Sequence, residues 1–248
     1  MSPPFKTMNV KDHYDKHLGN FYSWMIGDFN TKQFEQEVFF RSLNLTPIAT
    51  KIAFDLGAGH GLQSVSLAKL GYTVKAVDFN KQLLEQLKIN QGDLAIDRIE
   101  NDLLTFLRRQ TDKADVIVCM GDTLTHLQHP EDVKELVTLC ARHLIENGKL
   151  IFSFRDFSKA LQGTNRFIPV KQDDDKILTC FLEYFQDHVM VHDILHEKEN
   201  GVWQQKISAY PKLIVNAKHI MDLFSANGIA IENSTIINRM VYITGRKS

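Results

Sequence analysis

The sequence predicts an α/β fold in which a mostly parallel sheet carries helices on both faces and an inserted antiparallel β meander. Three observations predict it. From Lys51 to Ser153 short apolar runs alternate with helical patterns, and that alternation makes a parallel sheet covered on both faces. After Asp156 the rhythm changes to β-like runs joined by the short polar turns "FQDH" and "KENG", which make antiparallel neighbours. Behind the first strand stands a glycine-rich turn, "GAGHG", at the sheet edge where open α/β folds bind ligands.

The elements follow in order. The first 45 residues read as helices, with "NFYSWMIGDF" unusually aromatic for a terminal segment. "KIAFDL" is a buried strand and leads into a helix from about Leu62 to Leu70. "YTVKAVDF" is the second strand, and "NKQLLEQLKINQ" a helix with Leu83, Leu84 and Leu87 on one face. "LAIDRIEND", "ADVIVCMGD" and "GKLIFSFRD" are the third, fourth and fifth strands. Before the fifth, "PEDVKELVTLCARHLIENG" reads as a helix, with Pro130 near its start and Gly148 after its end. The meander comprises three strands, "DKILTCFLEYF", "HVMVHDILHEK" and "GVWQQKISAYPKLIV", with Asp173–Asp175 as a turn. "NAKHIMDLFSANG" is a helix capped by Asn216 and stopped by Gly228. "IAIENSTIINRMVYITGRK" closes as two strands. The expected organisation is a helical segment over residues 1–45 and a domain over 46–248, with the insertion at about 165–215.

Composition excludes several function classes. The 248 residues are 44% hydrophobic and 24% charged, ordinary for a globular protein. Lys+Arg number 29 against 30 Asp+Glu, so no global field draws the chain to nucleic acid or an anionic membrane. "MSPPFKTMNVKDHYDKH" lacks the apolar centre of a signal peptide, and no apolar run reaches the roughly 18 residues that span a bilayer. Cys119, Cys140 and Cys180 read as buried free thiols in a reducing compartment. The expectation is a cytoplasmic protein without nucleic-acid or membrane partners.

The glycine turn narrows the ligand. Glycines permit positive φ and let a ligand lie against peptide planes. The dinucleotide spacing is GxGxxG, whereas here it is GxGxG with Asp55 just ahead, a poor fit to a pyrophosphate. Asp78 ends the second strand, where such folds hold an adenosine ribose; the alternative for Asp78 is a turn or helix-cap role. Asn101, Asp102 and Leu103 follow the third strand, where an adenine edge would be read, and Asp102 is equally placed to cap the helix that follows.

"FDLGAGHG" and "AVD" resemble, in order and spacing, the first motifs of the class I S-adenosylmethionine-dependent methyltransferases. The resemblance covers about Lys51 to Arg155. It implies a Rossmann-like sheet and S-adenosyl-L-methionine as cofactor. It places the backbone of Gly57 and Gly59 at the methionine half, with Asp55, Ala58, Phe79 and Met120 in the same site. Asp78 would then hold the ribose, and Asp102, within Asn101–Leu103, would meet the adenine amine. "MGDTLTHL" further resembles a loop of the glycine and sarcosine N-methyltransferases and of the sugar amine N-methyltransferases, with Gly121, His126 and Leu127 matching. Asp122 stands where asparagine is usual in the glycine enzymes.

That second resemblance implies a small-molecule acceptor, with an amine preferred. His126 and Asp122 become candidate catalytic residues that accept or align the amine proton, and Arg155 of "FSFRDF" a candidate anchor for an acceptor carboxylate. Arg155 could instead pair with Asp156 or another acid, and His126 could simply wall the cofactor pocket. Tyr22 and Trp24, in "YSWMIGD", are candidate substrate contacts on a lid; Tyr14, Phe21, Tyr22 and Trp24 are otherwise core of the first helices. His188, His192 and His196 share one strand face, but no fourth ligand has fitting spacing, so no metal is expected. The rival readings are O- or C-methylation, a non-catalytic S-adenosylmethionine-binding protein, and nucleic-acid modification, the last opposed by the absence of an N-P-P-Y-like motif. The meander offers a surface for a homodimer.

Overall fold

A computed structural model of the chain describes residues 8–248. Seven strands form the main sheet in the order β10-β11-β5-β4-β1-β2-β3. Of these, β1 (Ile52–Leu56), β2 (Thr73–Asp78), β3 (Ile96–Glu100), β4 (Ala114–Cys119) and β5 (Leu144–Phe154) run parallel. The pair β10 (Ile229–Ile237) and β11 (Met240–Lys247) is antiparallel, with β11 inserted between β10 and β5. Asn238 and Arg239 turn that hairpin, both at positive φ (50° and 63°), as a two-residue primed turn requires.

Strand alternation sorts the core into two layers. Phe54, Ile117 and Phe152 point to the face covered by α6 (Leu103–Arg109), α7 (Pro130–His143) and α8 (Ala217–Ala226). Ala53, Val116, Val118 and Ile151 point to the face covered by α3 (Phe29–Ser42), α4 (Leu62–Lys69) and α5 (Lys81–Gln91). Every residue of β4 is buried, because helices lie on both sides of it. The sequence reading of helices on both faces holds.

The fifth strand corrects a boundary. The helix expected to run to Gly148 stops at His143, and β5 begins at Leu144, which pairs with Ala114. The step in register before Lys149 is taken up by Asn147 at φ 64°. An apolar run ending in Leu-Ile fits either period, and here pairing with β4 wins.

The inserted sheet has four strands where three were expected: β6 (Phe167–Gln172), β7 (Lys176–Tyr184), β8 (His188–Glu199) and β9 (Val202–Leu213). The missed strand contains Pro169, which argues against a strand in sequence. Proline is tolerated at a sheet edge or irregularity, and β6 is an edge strand whose register shifts between Pro169 and Lys171. The Asp173–Asp175 turn and the two polar turns lie where expected.

The N-terminal region is helical: α1 (Val10–Lys16), a 3-10 turn, α2 (Tyr22–Ile26) and then α3. Residues 1–7 of the expected helical segment lie outside the described residues. His13 of α1 is buried against the small sheet, with Nδ1 2.8 Å from Ser208 Oγ, Nε2 3.2 Å from Asp193 Oδ2, and its ring stacked 3.9 Å from Tyr210. Among the described residues no helix is long and apolar enough to cross a membrane.

Candidate active site

One cavity of about 1230 Å³ opens along the carboxyl edge of the main sheet. That exceeds the roughly 300–1,000 Å³ of common ligand pockets, so there is room for two small molecules. Its walls come from the ends of β1, β2, β3 and β4 on one side, and from β5, the small sheet and the N-terminal helices on the other.

The first wall is mostly backbone. Gly57 has φ +80°, and a Cβ on it would sit 2.3 Å from Thr123 Oγ1, so sterics and backbone both demand glycine there. Gly57 and Ala58 donate their amides to Val77 O at 2.8 and 3.0 Å, which folds the loop back onto β2. Gly59 N donates to Asp78 Oδ2 and Asn80 N to Oδ1, each at 2.8 Å. The carboxylate is therefore placed before any ligand arrives. Burial pushes Asp78 up to about 6, against the lowering effect of those two amides. Phe79, Asn101, Leu103 and Met120 line the same wall. Asp102 also lines it, and its Oδ1 accepts from Thr105 N at 2.8 Å as the cap of α6; the capping alternative is realised while the residue stays at the cavity.

Asp55 departs from expectation. It is buried behind the loop and absent from the cavity wall, where Ser64 Oγ donates to it at 2.5 Å and ties β1 to α4. Burial raises its carboxyl to about 7. A carboxylate one residue before the strand's end faces the helix that follows rather than the ligand crevice.

The second wall is a knot of charged side chains around Asp122, which sits at φ 79° just after β4. Arg155 N donates to Asp122 Oδ1 at 2.9 Å, and Arg155 Nη1 to Oδ2 at 3.1 Å. Lys212 of β9 donates to the same Oδ2, and both side chains of that pair are buried. Burial alone would raise Asp122, but Lys212 and then Arg155 overcome it and hold the carboxyl down at about 2. Asp122 is thus engaged by two cations and is not free to take a proton, which corrects its reading as a base. Arg155 pairs with Asp122 rather than Asp156, and its side chain remains half exposed at the cavity.

His126 lies beside this knot. Its Nε2 is 3.3 Å from Tyr14 Oη, its ring packs 5.7 Å from Tyr210, and its Nδ1 is buried without a partner. Burial first, and then Lys212, lower it to about 3, so the ring is neutral across physiological pH. Tyr22 reaches the glycine loop, with its Oη 3.6 Å from where a Gly59 Cβ would lie, and lines the cavity. Trp24 does not line it. Its Nε1 donates to Asp173 Oδ2 at 2.5 Å and Lys171 Nζ sits 5.4 Å from its ring, so Trp24 fastens α2 to the β6–β7 turn. The three histidines of β8 have separate partners: Asp187, Glu183 and Gln205.

Sequence reasoning missed Lys212 and the His13–Asp193 contact. The available signal was a lysine inside the apolar run "AYPKLIV"; such a buried ammonium needs a buried anion.

Comparison with known proteins agrees with this arrangement. Residues 53–148 match a family profile described as "Methyltransferase domain". This stretch of the chain is similar to a methyltransferase domain. Within it the glycine loop, Asp78 and the Asp122 turn are all included. The ubiquinone biosynthesis O-methyltransferase of Ralstonia nicotianae is 29% identical over 109 residues, 43% of this chain and 44% of that protein. The enzyme of the same description from Histophilus somni is 33% identical over 112 residues, 43% of this chain and 45% of that protein. The match thus spans less than half the length of these relatives. Outside the methyltransferase domain the likeness is structural. CcbJ methyltransferase from Streptomyces caelestis superposes with a TM-score of 0.76 at 13% identity, covering 98% of this chain and 100% of that one. The sugar N-methyltransferase KedS8 from Streptoalloteichus superposes at 0.73 with 13% identity, covering 100% and 99%. These likenesses extend the shared fold over the small sheet and the N-terminal helices.

Proposed function

We propose that the protein is an S-adenosylmethionine-dependent methyltransferase acting on a small molecule, with a carboxylate-bearing amine as the preferred acceptor. The observation that carries this is a single cavity with a backbone cradle and a preset carboxylate on one wall and a half-exposed arginine on the other. The residues fit the cofactor. A sulfonium nucleoside needs close backbone approach at Gly57–Gly59, and both ribose hydroxyls find an acceptor in Asp78. Bound there, the cofactor would supply an electrophilic methyl group on sulfur, open to in-line attack at about 3–3.5 Å.

The chain's own residues do the placing. Arg155 orients the acceptor through its carboxylate. With Asp122 held ionised by two cations and His126 held neutral, the amine arrives as its free base rather than surrendering a proton to a strong base in the site. His126 aligns the nitrogen by hydrogen bonding, its ring fixed by Tyr14 and Tyr210. Helices α1 and α2, with Tyr14 and Tyr22, act as a lid that excludes water.

A second reading, O-methylation, draws on the curated relatives, which are described as O-methyltransferases. A hydroxyl acceptor needs a base more than an amine does, and the low basicity of His126 weighs for the amine. Incubation of the protein with S-adenosylmethionine and a panel of amino acids, amino sugars, polyamines and phenols, read by mass spectrometry, tests the proposal. Methylation of an amino acid is the expected result; an amino sugar as best acceptor would keep the amine chemistry and remove the carboxylate anchor, and a phenol would favour the second reading.

A further inference from the structure

Lys212 enters the reading above only as one of the two cations on Asp122, yet its buried ammonium also bears on Arg155. Its ammonium shares Asp122 Oδ2 with Arg155 Nη1, and its own side chain is 7% exposed against 49% for Arg155. The rings of Tyr210 and Phe157 flank it, 5.7 and 5.9 Å from Nζ. A lone carboxylate beside an arginine draws it into a two-pronged pair. Here one oxygen is shared with Lys212 and the other is taken by the Arg155 amide. The guanidinium keeps one contact, and its remaining donors are left over at the cavity.

We propose that Lys212 is a positioning residue: by neutralising Asp122 it keeps Arg155 available for the acceptor's carboxylate. This rests on the proposed transfer to a carboxylate-bearing acceptor. It also gives the aspartate at 122 a purpose. The acid needs the lysine, and the pair joins β9 of the small sheet to the end of β4. Removing Lys212 hands Asp122 entirely to Arg155, so the carboxylate site closes while the buried acid still has a cation.

The test uses the full chain with Lys212→Met, Lys212→Arg and Asp122→Asn. Benzoate and its uncharged isostere benzamide serve as probes in calorimetry, with and without S-adenosylhomocysteine. Wild type is expected to prefer benzoate. Lys212→Met should lose about tenfold in benzoate affinity with benzamide unchanged, Lys212→Arg should restore it, and Asp122→Asn should tighten benzoate by releasing Arg155. In turnover, KM for amino acids should rise by the same factor in Lys212→Met, with decarboxylated amines unaffected and kcat changed less than about twofold. Equal binding of the two probes by wild type overturns the proposal. So does an equal loss for both probes in Lys212→Met, or weaker benzoate binding in Asp122→Asn, which decides the matter should Lys212→Met not fold. Absence of S-adenosylmethionine binding to wild type defeats the proposed function instead and leaves the benzoate comparison standing.

Discussion

Where the cavity meets the ends of β1 and β2, its wall is peptide backbone, fixed by amides of Gly57, Ala58 and Gly59 and by the single carboxylate of Asp78. Where it meets β5 and β9, its wall is side chain, fixed by ion pairs between Asp122, Arg155 and Lys212 that come from distant parts of the chain. The first is a local construction of some two dozen residues. The second depends on two sheets arriving in register. A backbone cradle suits a ligand shared by a whole fold, whereas a side-chain knot can be rewritten by one substitution and suits a ligand that varies.

The largest expected effect strikes the backbone side. Gly57→Ala forces a methyl group to 2.3 Å from Thr123 Oγ1 at φ +80°, and S-adenosylmethionine binding should fall by more than about 1000-fold in calorimetry. Near-wild-type affinity there would break the claim that backbone builds this wall. Asp78→Ala comes next, weakening the cofactor by on the order of 2–4 kcal/mol through loss of two charge-assisted hydrogen bonds. An unchanged dissociation constant would remove the ribose assignment.

On the side-chain wall, His126→Ala should lower kcat by up to about 100-fold through misalignment while cofactor affinity holds. Loss of both together would mean that the two walls are not separable. The smallest effect is the pH response. Asp78, raised to about 6, loses its charge as pH falls, so cofactor affinity should be level above pH 7 and drop roughly tenfold per unit well below pH 6. Asp122, held near 2, should add no titration in that range. Persistence of the acid limb in Asp78→Asn would assign it to another group, with Asp55 the next to examine. Ligand should also protect the N-terminal helices from protease, and cutting at equal rates with and without ligand would leave Tyr14 and Tyr22 as packing alone.

The contrast also explains what was legible. Strand-helix alternation, the glycine loop and the place of Asp78 at the end of β2 are written in contiguous residues, and the structure has them where the sequence puts them. Asp55 lies behind the loop, off the cavity wall; spacing locates a residue on a strand without saying which side of the loop it faces. The aromatic segment around Trp24 points to a substrate contact, but aromatic content does not reveal direction: Trp24 packs on the β6–β7 turn. Strand β6 hid behind Pro169, whose edge position no local pattern discloses. Lys212 shows in the sequence only as a lysine in an apolar run, because its partner lies 90 residues away and long-range charge pairing leaves no period.

The place of the small sheet in the chain bears on how the protein is made. Strand β5 takes its second neighbour from β11, so residues 155–239 must emerge before that edge is covered. At about 5–20 residues per second a ribosome needs on the order of ten seconds for that stretch. For that interval β5, rich in Leu, Ile and Phe, offers an open hydrogen-bonding edge to any other nascent chain. The small sheet, whose four strands are consecutive and joined by short turns, can close during the wait. Expression yield should therefore be most sensitive to slow synthesis between β5 and β11, and least sensitive to delays after β11 has paired.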